Sequence, residues 1–220
     1  RVLEIDGKRI ACTQTIAPKG GFGFGPRNAV FGPSAAWLQV VLERQNVLAT
    51  FGVEHGKIEA APRFTQSLLQ RPDAAQKPQL AGAIELDAEG RLAYVVNRSH
   101  AATRDHGSKV DAGGENSIVV FSLDADTGRP QRVQTVTLAG LHARCISLSP
   151  DGLWLVAAIR ESSVRLEAGR LIAQPAGQPD GGPERRRHLR QPADGDEILV
   201  AHQLADRGHH LRCQTGRQRG

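Results

Sequence analysis

The sequence predicts an all-β protein, and three observations support that fold class. Short runs rich in Val, Ile, Leu, Phe and Tyr recur along the chain, and these residues favour strands. Asp-Gly, Glu-Gly and Thr-Gly pairs separate the runs and provide the turns that hairpins need. Few stretches of ten or more residues have the apolar spacing of a helix. The pattern therefore predicts short strands joined by tight turns.

The strands belong to a repeat, which narrows the fold. Three segments share a turn, an aromatic residue and a β-rich run, and superposing the turns aligns Trp37 with Tyr94 and with Trp154. Repeated units of about four strands are typical of the blades of a β-propeller. An ordinary β-sandwich with similar turns is the alternative. Recurrence of the turn and the aromatic residue favours the propeller.

The first unit opens with a glycine-rich stretch, KGGFGFGPRNAVFGP, from Lys19 to Pro33. A dinucleotide-binding loop needs a strand before its glycines and a helix after them. Here Pro26 follows the last glycine of the loop, and Gly32-Pro33 then splits two short apolar segments. We therefore predict strand, turn and strand, with the glycines leading into an inner strand.

The second unit gains a hairpin from NSIVVFSLDADTGRPQRVQTV, in which Asp124 to Gly128 form the turn. Seven blades of about 45 residues need more than about 300 residues. The chain of 220 residues is therefore expected to hold three to four blades of such a protein. We assign residues 1–174 to this partial propeller. Residues 175–220 lack hairpin rhythm, and we predict an irregular basic tail that is frameshifted or disordered.

Charge and composition narrow the function classes. The net charge is +5, but the basic residues concentrate after Gly182, and aromatic residues make up 4% of the chain. A base-stacking surface for nucleic acid is therefore not expected. No segment reaches the about 18 apolar residues of a membrane span. Three scattered cysteines favour reduced, buried thiols in a cytoplasmic protein. We predict no metal site and no cofactor, and the oligomeric state stays open.

Several blocks of the chain resemble the lactonase family, seven-bladed propellers similar to 6-phosphogluconolactonase and carboxymuconate cyclase. The resemblance runs from about Val2 to Gln174 and rests on four blocks: GPRNAVFGPSAAWLQVVLE, QLAGAIELDAEGRLAYVVNR, GGENSIVVFSLDADTGRPQRVQTV and LHARCISLSPDGLWLVAA. It implies a propeller that acts on a small-molecule lactone. In this family, a glutamate and arginines in these motifs are the proposed site residues.

The candidate catalytic residues are Glu43, Arg27 and Arg98. Glu43 ends an apolar run, where a carboxylate is out of place unless it is paired or functional. Arg27 lies in the neighbouring strand of one hairpin, and a guanidinium there can hold a carboxylate or phosphate. A structural salt bridge between Glu43 and Arg27 is the alternative. The repeat places Arg98 one residue beyond the Glu43 position, and the resemblance gives the same role to all three.

His142 and Arg144 repeat the Arg27 motif one blade later, and we predict them as substrate-binding residues of lower rank. The leading function is hydrolysis of a sugar-acid lactone such as 6-phosphogluconolactone. One alternative is a cycloisomerase that makes or opens a muconolactone. The other is a non-catalytic or decayed propeller fragment, so whether the chain is an enzyme stays open.

Overall fold

A computed structural model describes residues 1–18, 23–73, 78–99, 102–105, 108–111, 113–161, 163–167, 170–174, 198–203 and 212–213. Every secondary-structure element in these ranges is a β-strand, which confirms the all-β prediction. None of the described residues belongs to a helix long and apolar enough to cross a membrane.

Three antiparallel sheets follow one another along the chain, and we call them blades 1, 2 and 3. Blade 1 contains β3 (Pro26–Phe31), β4 (Trp37–Leu42), β5 (Val47–Glu54), the short β6 (Lys57–Ile58) and β7 (Phe64–Ser67). Blade 2 contains β8 (Gln79–Leu86), β9 (Leu92–Ser99), β12 (Ser117–Leu123) and β13 (Pro130–Thr137). Blade 3 contains β14 (Leu141–Leu148), β15 (Trp154–Glu161), β18 (Ile198–Gln203) and β19 (Arg212–Cys213).

Three further hairpins accompany the blades. They are β1 (Val2–Asp6) with β2 (Arg9–Gln14), β10 (Ala102–Asp105) with β11 (Ser108–Asp111), and β16 (Ser163–Glu167) with β17 (Arg170–Gln174). The first hairpin is bound to blade 1 through Gln14, whose side-chain oxygen accepts a hydrogen bond from the Ile58 amide at 3.0 Å. The three blades and this hairpin agree with the predicted three to four blades.

The core lies between consecutive blades. Trp37, Val41 and Leu48 of blade 1 pack against Ala93 and Val119 of blade 2. A second cluster joins blades 2 and 3 in the same way. The first strands β3, β8 and β14 contact one another in that order, as expected when sheets stack around a central axis. Radial stacking therefore brings equivalent strand ends of the three blades to one side.

A buried polar contact fixes the spacing of blades 1 and 2. The Trp37 indole Nε1 donates to the Ala125 carbonyl at 3.1 Å, and the Gln39 amide donates to the Gly128 carbonyl at 2.6 Å. Thr50 Oγ1 donates to the Gln39 side-chain oxygen at 3.0 Å. The predicted turn from Asp124 to Gly128 therefore joins β12 to β13 and also covers the aromatic residue of the preceding blade.

The turn between the first two strands has the same hydrogen bonds in every blade. In each blade, a backbone amide before the turn donates a hydrogen bond to the carbonyl of the first residue of the second strand. The donors and acceptors are Gly32 and Trp37, Asp87 and Leu92, and Ser149 and Trp154, at 3.0, 3.1 and 2.8 Å. Trp37 is thus equivalent to Leu92 and Trp154. The predicted alignment was right for Trp154 but wrong by two residues for Tyr94.

The structure differs from two predictions, one about the tail and one about the cysteines. Within residues 175–220, Ile198–Gln203 pairs with β15 and Arg212–Cys213 pairs with Ile198–Gln203, so these parts of the predicted irregular tail are strands of blade 3. The rest of that tail lies outside the described residues, and the division at residue 174 stays a prediction.

Cys12 and Cys145 are free thiols, but both are exposed rather than buried as predicted.

Candidate active site

Arg27 occupies a β-bulge at the start of the first strand of blade 1. Pro26 pairs with Leu42 and Asn28 pairs with Val41, so Arg27 has no partner residue across the ladder. A bulge redirects its side chain and is common beside active sites. The strand predicted to follow Pro26 is therefore confirmed, and it presents Arg27 at the end where β4 leads into Glu43.

Glu43 accepts hydrogen bonds from two arginines of different blades. Its Oε1 atom lies 2.8 Å from Arg27 Nη1 and 2.6 Å from Arg98 Nη2. No other hydrogen bond to the Glu43 side chain is found within the described ranges. Backbone contacts fix the position, since the Glu43 amide donates to Gly25 and the Glu43 carbonyl accepts from Ala81. The predicted catalytic trio is therefore one cluster, held at the junction of blades 1 and 2.

Arg98 is the buried member of the cluster. Its side chain is 2% exposed, against 30% for Arg27 and 27% for Glu43. Besides Glu43, its Nη2 donates to the Ala81 carbonyl at 3.0 Å, whereas its buried Nε has no hydrogen-bond partner. Burial lowers the pKa of Arg98 first of all, and the positive charges of Arg27 and Arg144 lower it further, while Glu43 acts in the opposite direction.

Blade 3 repeats the bulge of blade 1. Ala143 pairs with Ile159 and Cys145 pairs with Ala158, which leaves Arg144 as the bulged residue. Arg144 is exposed, and its charge acts on Arg98. His142 is 4% exposed and has a positive φ of 61°. This geometry favours Arg144 over its neighbour His142 for direct contact with a ligand.

The shared turns define two equivalent positions in each blade. The first position, five residues before the turn-opening residue, holds Arg27, Gly82 and Arg144. The second position, six residues after the first residue of the second strand, holds Glu43, Arg98 and Arg160. Arg98 is therefore equivalent to Glu43 itself and does not lie one residue beyond it. The prediction missed Arg160, although superposing Trp154 on Trp37 already places Arg160 at the Glu43 position.

Metal ligation finds no support in the part of the chain that the structure describes. No group of three or more His, Cys, Asp and Glu side chains is suitably placed there to hold a metal ion. What the arginine–glutamate cluster can offer is a carboxylate oxygen for a proton and guanidinium groups for negative charge.

Known proteins share this arrangement of strands. The chain matches the family described as lactonase, 7-bladed beta-propeller, over residues 2–166. It is 26% identical over 160 residues to the 6-phosphogluconolactonase of Bacillus subtilis (strain 168), an alignment that covers 70% of this chain and 41% of the relative.

Two solved structures support the fold. The periplasmic gluconolactonase PpgL of Pseudomonas aeruginosa has a TM-score of 0.52 and 23% identity, covering 70% of this chain and 41% of that one. A Lactobacillus plantarum protein has a TM-score of 0.51 and 23% identity, covering 69% and 41%. The chain thus spans 41% of the length of these relatives. Because the family match covers residues 2–166, the chain belongs to the lactonase family of seven-bladed β-propellers.

Proposed function

We propose that this chain is part of a lactone hydrolase that opens sugar-acid lactones, 6-phosphogluconolactone among them. The observation that carries the proposal is the Glu43 carboxylate, held through one oxygen by Arg27 and Arg98 at 2.8 and 2.6 Å. The relationship to the Bacillus subtilis 6-phosphogluconolactonase supports the same substrate class. We also propose a cytoplasmic location, on the scattered free cysteines.

In the proposed reaction, Glu43 positions a water molecule and accepts its proton. The two arginines bind Oε1, so Oε2 is the oxygen that takes the proton. The water oxygen then bonds to the lactone carbonyl carbon, and the negative charge that develops on the carbonyl oxygen is stabilised by the partly exposed guanidinium of Arg27. The ring C–O bond breaks as Glu43 returns the proton to the leaving oxygen. The product is a single hydroxy acid, because the ring carbons keep the new carboxyl group and the released hydroxyl group on one molecule.

Arg98 has a supporting role in this scheme. Its side chain is 2% exposed, which leaves little surface for a substrate. Its hydrogen bond to Glu43 Oε1, made from the buried side of the cluster, fixes the orientation of the carboxylate. A precisely held carboxylate is what acid–base catalysis needs, because proton transfer requires hydrogen-bond distance to the reacting water. We therefore expect Arg98 to act through Glu43.

The test is substitution of the carboxylate. Glu43→Gln keeps the size of the side chain but removes the proton acceptor, so lactone hydrolysis is expected to fall by about 10²-fold. Glu54→Gln is the matched control, because Glu54 ends β5 at the opposite end of blade 1 and its side chain is 68% exposed. Turnover of 6-phosphogluconolactone is followed by the acid released. Unchanged turnover in Glu43→Gln would remove Glu43 from the mechanism.

A further inference from the structure

We propose that four buried polar side chains between blades 1 and 2 form a hydration site that holds ordered water in the interior of the protein. The four residues are Asn46, Gln79, Asn97 and Ser117, and we call them the polar cluster. The inference assigns a ligand to a part of the interface that the Glu43 cluster does not use. It does not rest on the proposed function.

The register of blade 2 places three of these side chains on one face of the sheet. Asn97 pairs with Ser117 in one neighbouring strand and with Ala81 in the other, and Gln79 lies two residues before Ala81. Directly paired residues project from the same face, and so do residues two positions apart along one strand. That face is the one from which Ala81 and Val95 pack against blade 1. The three polar side chains therefore lie at one end of the blade 1–blade 2 core.

Hydrogen bonds join the polar cluster across the two blades and fix the orientation of its amide groups. Asn46, in the turn after β4, donates through Nδ2 to the Gln79 carbonyl at 2.8 Å. The Glu115 amide donates to Gln79 Oε1 at 3.1 Å, and Asn97 Nδ2 lies 3.5 Å from the same oxygen. These bonds identify the oxygen end of the Gln79 amide and the nitrogen ends of both asparagine amides, so the opposite ends are identified as well.

Each member of the polar cluster keeps one polar atom that no other group uses. In the part of the chain that the structure describes, Gln79 Nε2, Asn46 Oδ1, Asn97 Oδ1 and Ser117 Oγ are buried and make no hydrogen bond. The four residues are 0 to 4% exposed. Native proteins rarely leave buried polar atoms unpaired, because each loses its hydrogen bonds to bulk water on folding. Four such atoms in neighbouring side chains therefore point to a bound molecule.

Water is the ligand whose hydrogen-bonding capacity matches these four atoms. Gln79 Nε2 needs an acceptor, the amide oxygens of Asn46 and Asn97 need donors, and the Ser117 hydroxyl can serve as either. A metal cation would face the Gln79 NH2 group, and an anion would face two amide oxygens, so neither satisfies the set. Water both donates and accepts, and a buried water typically makes about three hydrogen bonds to such groups. Water bound here links Asn46 of blade 1 to the polar face of blade 2.

The first test is Ser117→Ala, which removes one hydroxyl group of the polar cluster. If that hydroxyl binds water, the melting temperature of the full chain should fall by about 2 to 4 °C, the shift expected for one lost hydrogen bond in a chain of this size. Ser122→Ala is the matched control and should cause a smaller shift, because Ser122 lies on the same strand and its hydroxyl donates to the Gln131 carbonyl at an exposed position. Removing a hydroxyl that binds nothing raises the melting temperature instead. An unchanged or raised value for Ser117→Ala, or an equal fall for Ser122→Ala, would overturn the proposal.

The second test detects the water directly by NMR of the isotope-labelled full chain. The Gln79 side-chain amide is assigned from the signal that disappears in Gln79→Leu. A long-lived bound water gives NOE and ROE cross-peaks of opposite sign between the water resonance and these amide protons, whereas proton exchange gives the same sign in both. The side-chain amide of Gln66, which is exposed, is the internal control and should lack such peaks. Their absence at Gln79 would overturn the hydration site even if Ser117→Ala is destabilised.

Discussion

Removal of the Glu43 carboxylate is expected to destabilise the fold as well as the reaction. In Glu43→Ala, the guanidinium of Arg98 stays buried at 2% exposure with the Ala81 carbonyl as its remaining hydrogen-bond acceptor among the described residues. The charges of Arg27 and Arg144 then act on Arg98 without a compensating carboxylate. The cost comes from an uncompensated buried charge and not from a lost surface contact.

The burial of each partner sets the magnitude. Breaking a buried ion pair from one side costs about 3 to 5 kcal/mol. Because Glu43 is 27% exposed, water partly replaces it, and we expect about 2 to 3 kcal/mol for Glu43→Ala. Arg27 is 30% exposed, so Arg27→Ala should cost only about 0.2 to 1 kcal/mol, as exposed pairs do.

The assay is urea denaturation followed by circular dichroism, with each unfolding free energy extrapolated to water. A double variant, Glu43→Ala with Arg98→Met, removes the buried charge along with its partner and should be more stable than Glu43→Ala alone. Equal costs for Glu43→Ala and Arg27→Ala would refute the reasoning. So would a double variant whose cost is the sum of the two single changes.

Two further predictions concern the packing between blades and the titration of the core. Gly128 and Gly152 have similar positive φ values of 68° and 69°. A Cβ atom added at Gly128 would lie 2.5 Å from the Trp37 ring, whereas a Cβ atom added at Gly152 would have no atom within 4 Å beyond its chain neighbours. Gly128→Ala should therefore cost about 1 to 3 kcal/mol more in urea melts, and equal costs would contradict the predicted packing. The chain has one tyrosine, Tyr94, and burial, followed by the charge of Asp87, raises its pKa from 10.0 to about 12. Its contribution to stability is complete below the unfolded pKa and is lost as the pH rises through the folded pKa. In a pH titration, the midpoint of the phenolate absorbance should lie at about 12 in the folded chain and at about 10 in urea; a midpoint of about 10 in both would contradict the burial.

Strand positions followed from local chemistry and were accessible from the sequence. Pro26 after a run of glycines predicted a strand where β3 begins, and Asp124 to Gly128 predicted the turn between β12 and β13. Both features depend on φ preferences and on turn residues within a few positions. The tail was harder because Ile198–Gln203 becomes a strand by pairing with β15, and the paired residues lie 40 to 49 positions apart, a distance over which local patterns give no signal.

The candidate site also contains residues that the local sequence predicted and relations between residues that it did not. Glu43 was identified because a carboxylate ends an apolar run, and Arg27 because it follows a proline in the neighbouring strand. The equivalence of Arg98 and Glu43 was missed because the turn of blade 2 had been superposed on Tyr94, an aromatic residue, and not on Leu92, which the hydrogen bond to Asp87 identifies. Side-chain type was the weaker guide, and backbone geometry was the stronger one.

By itself, the sequence determined the order of strands and turns, the repeat and the residue types that carry charge, since each depends on neighbours along the chain. Only the tertiary structure decided that Glu43 meets arginines from two blades, that Arg98 is buried while Arg144 is exposed, and that the bulges of blades 1 and 3 hold equivalent arginines. The physical reason is that these relations arise from the stacking of separate sheets, whose registers and bulges depend on contacts between residues far apart in the chain.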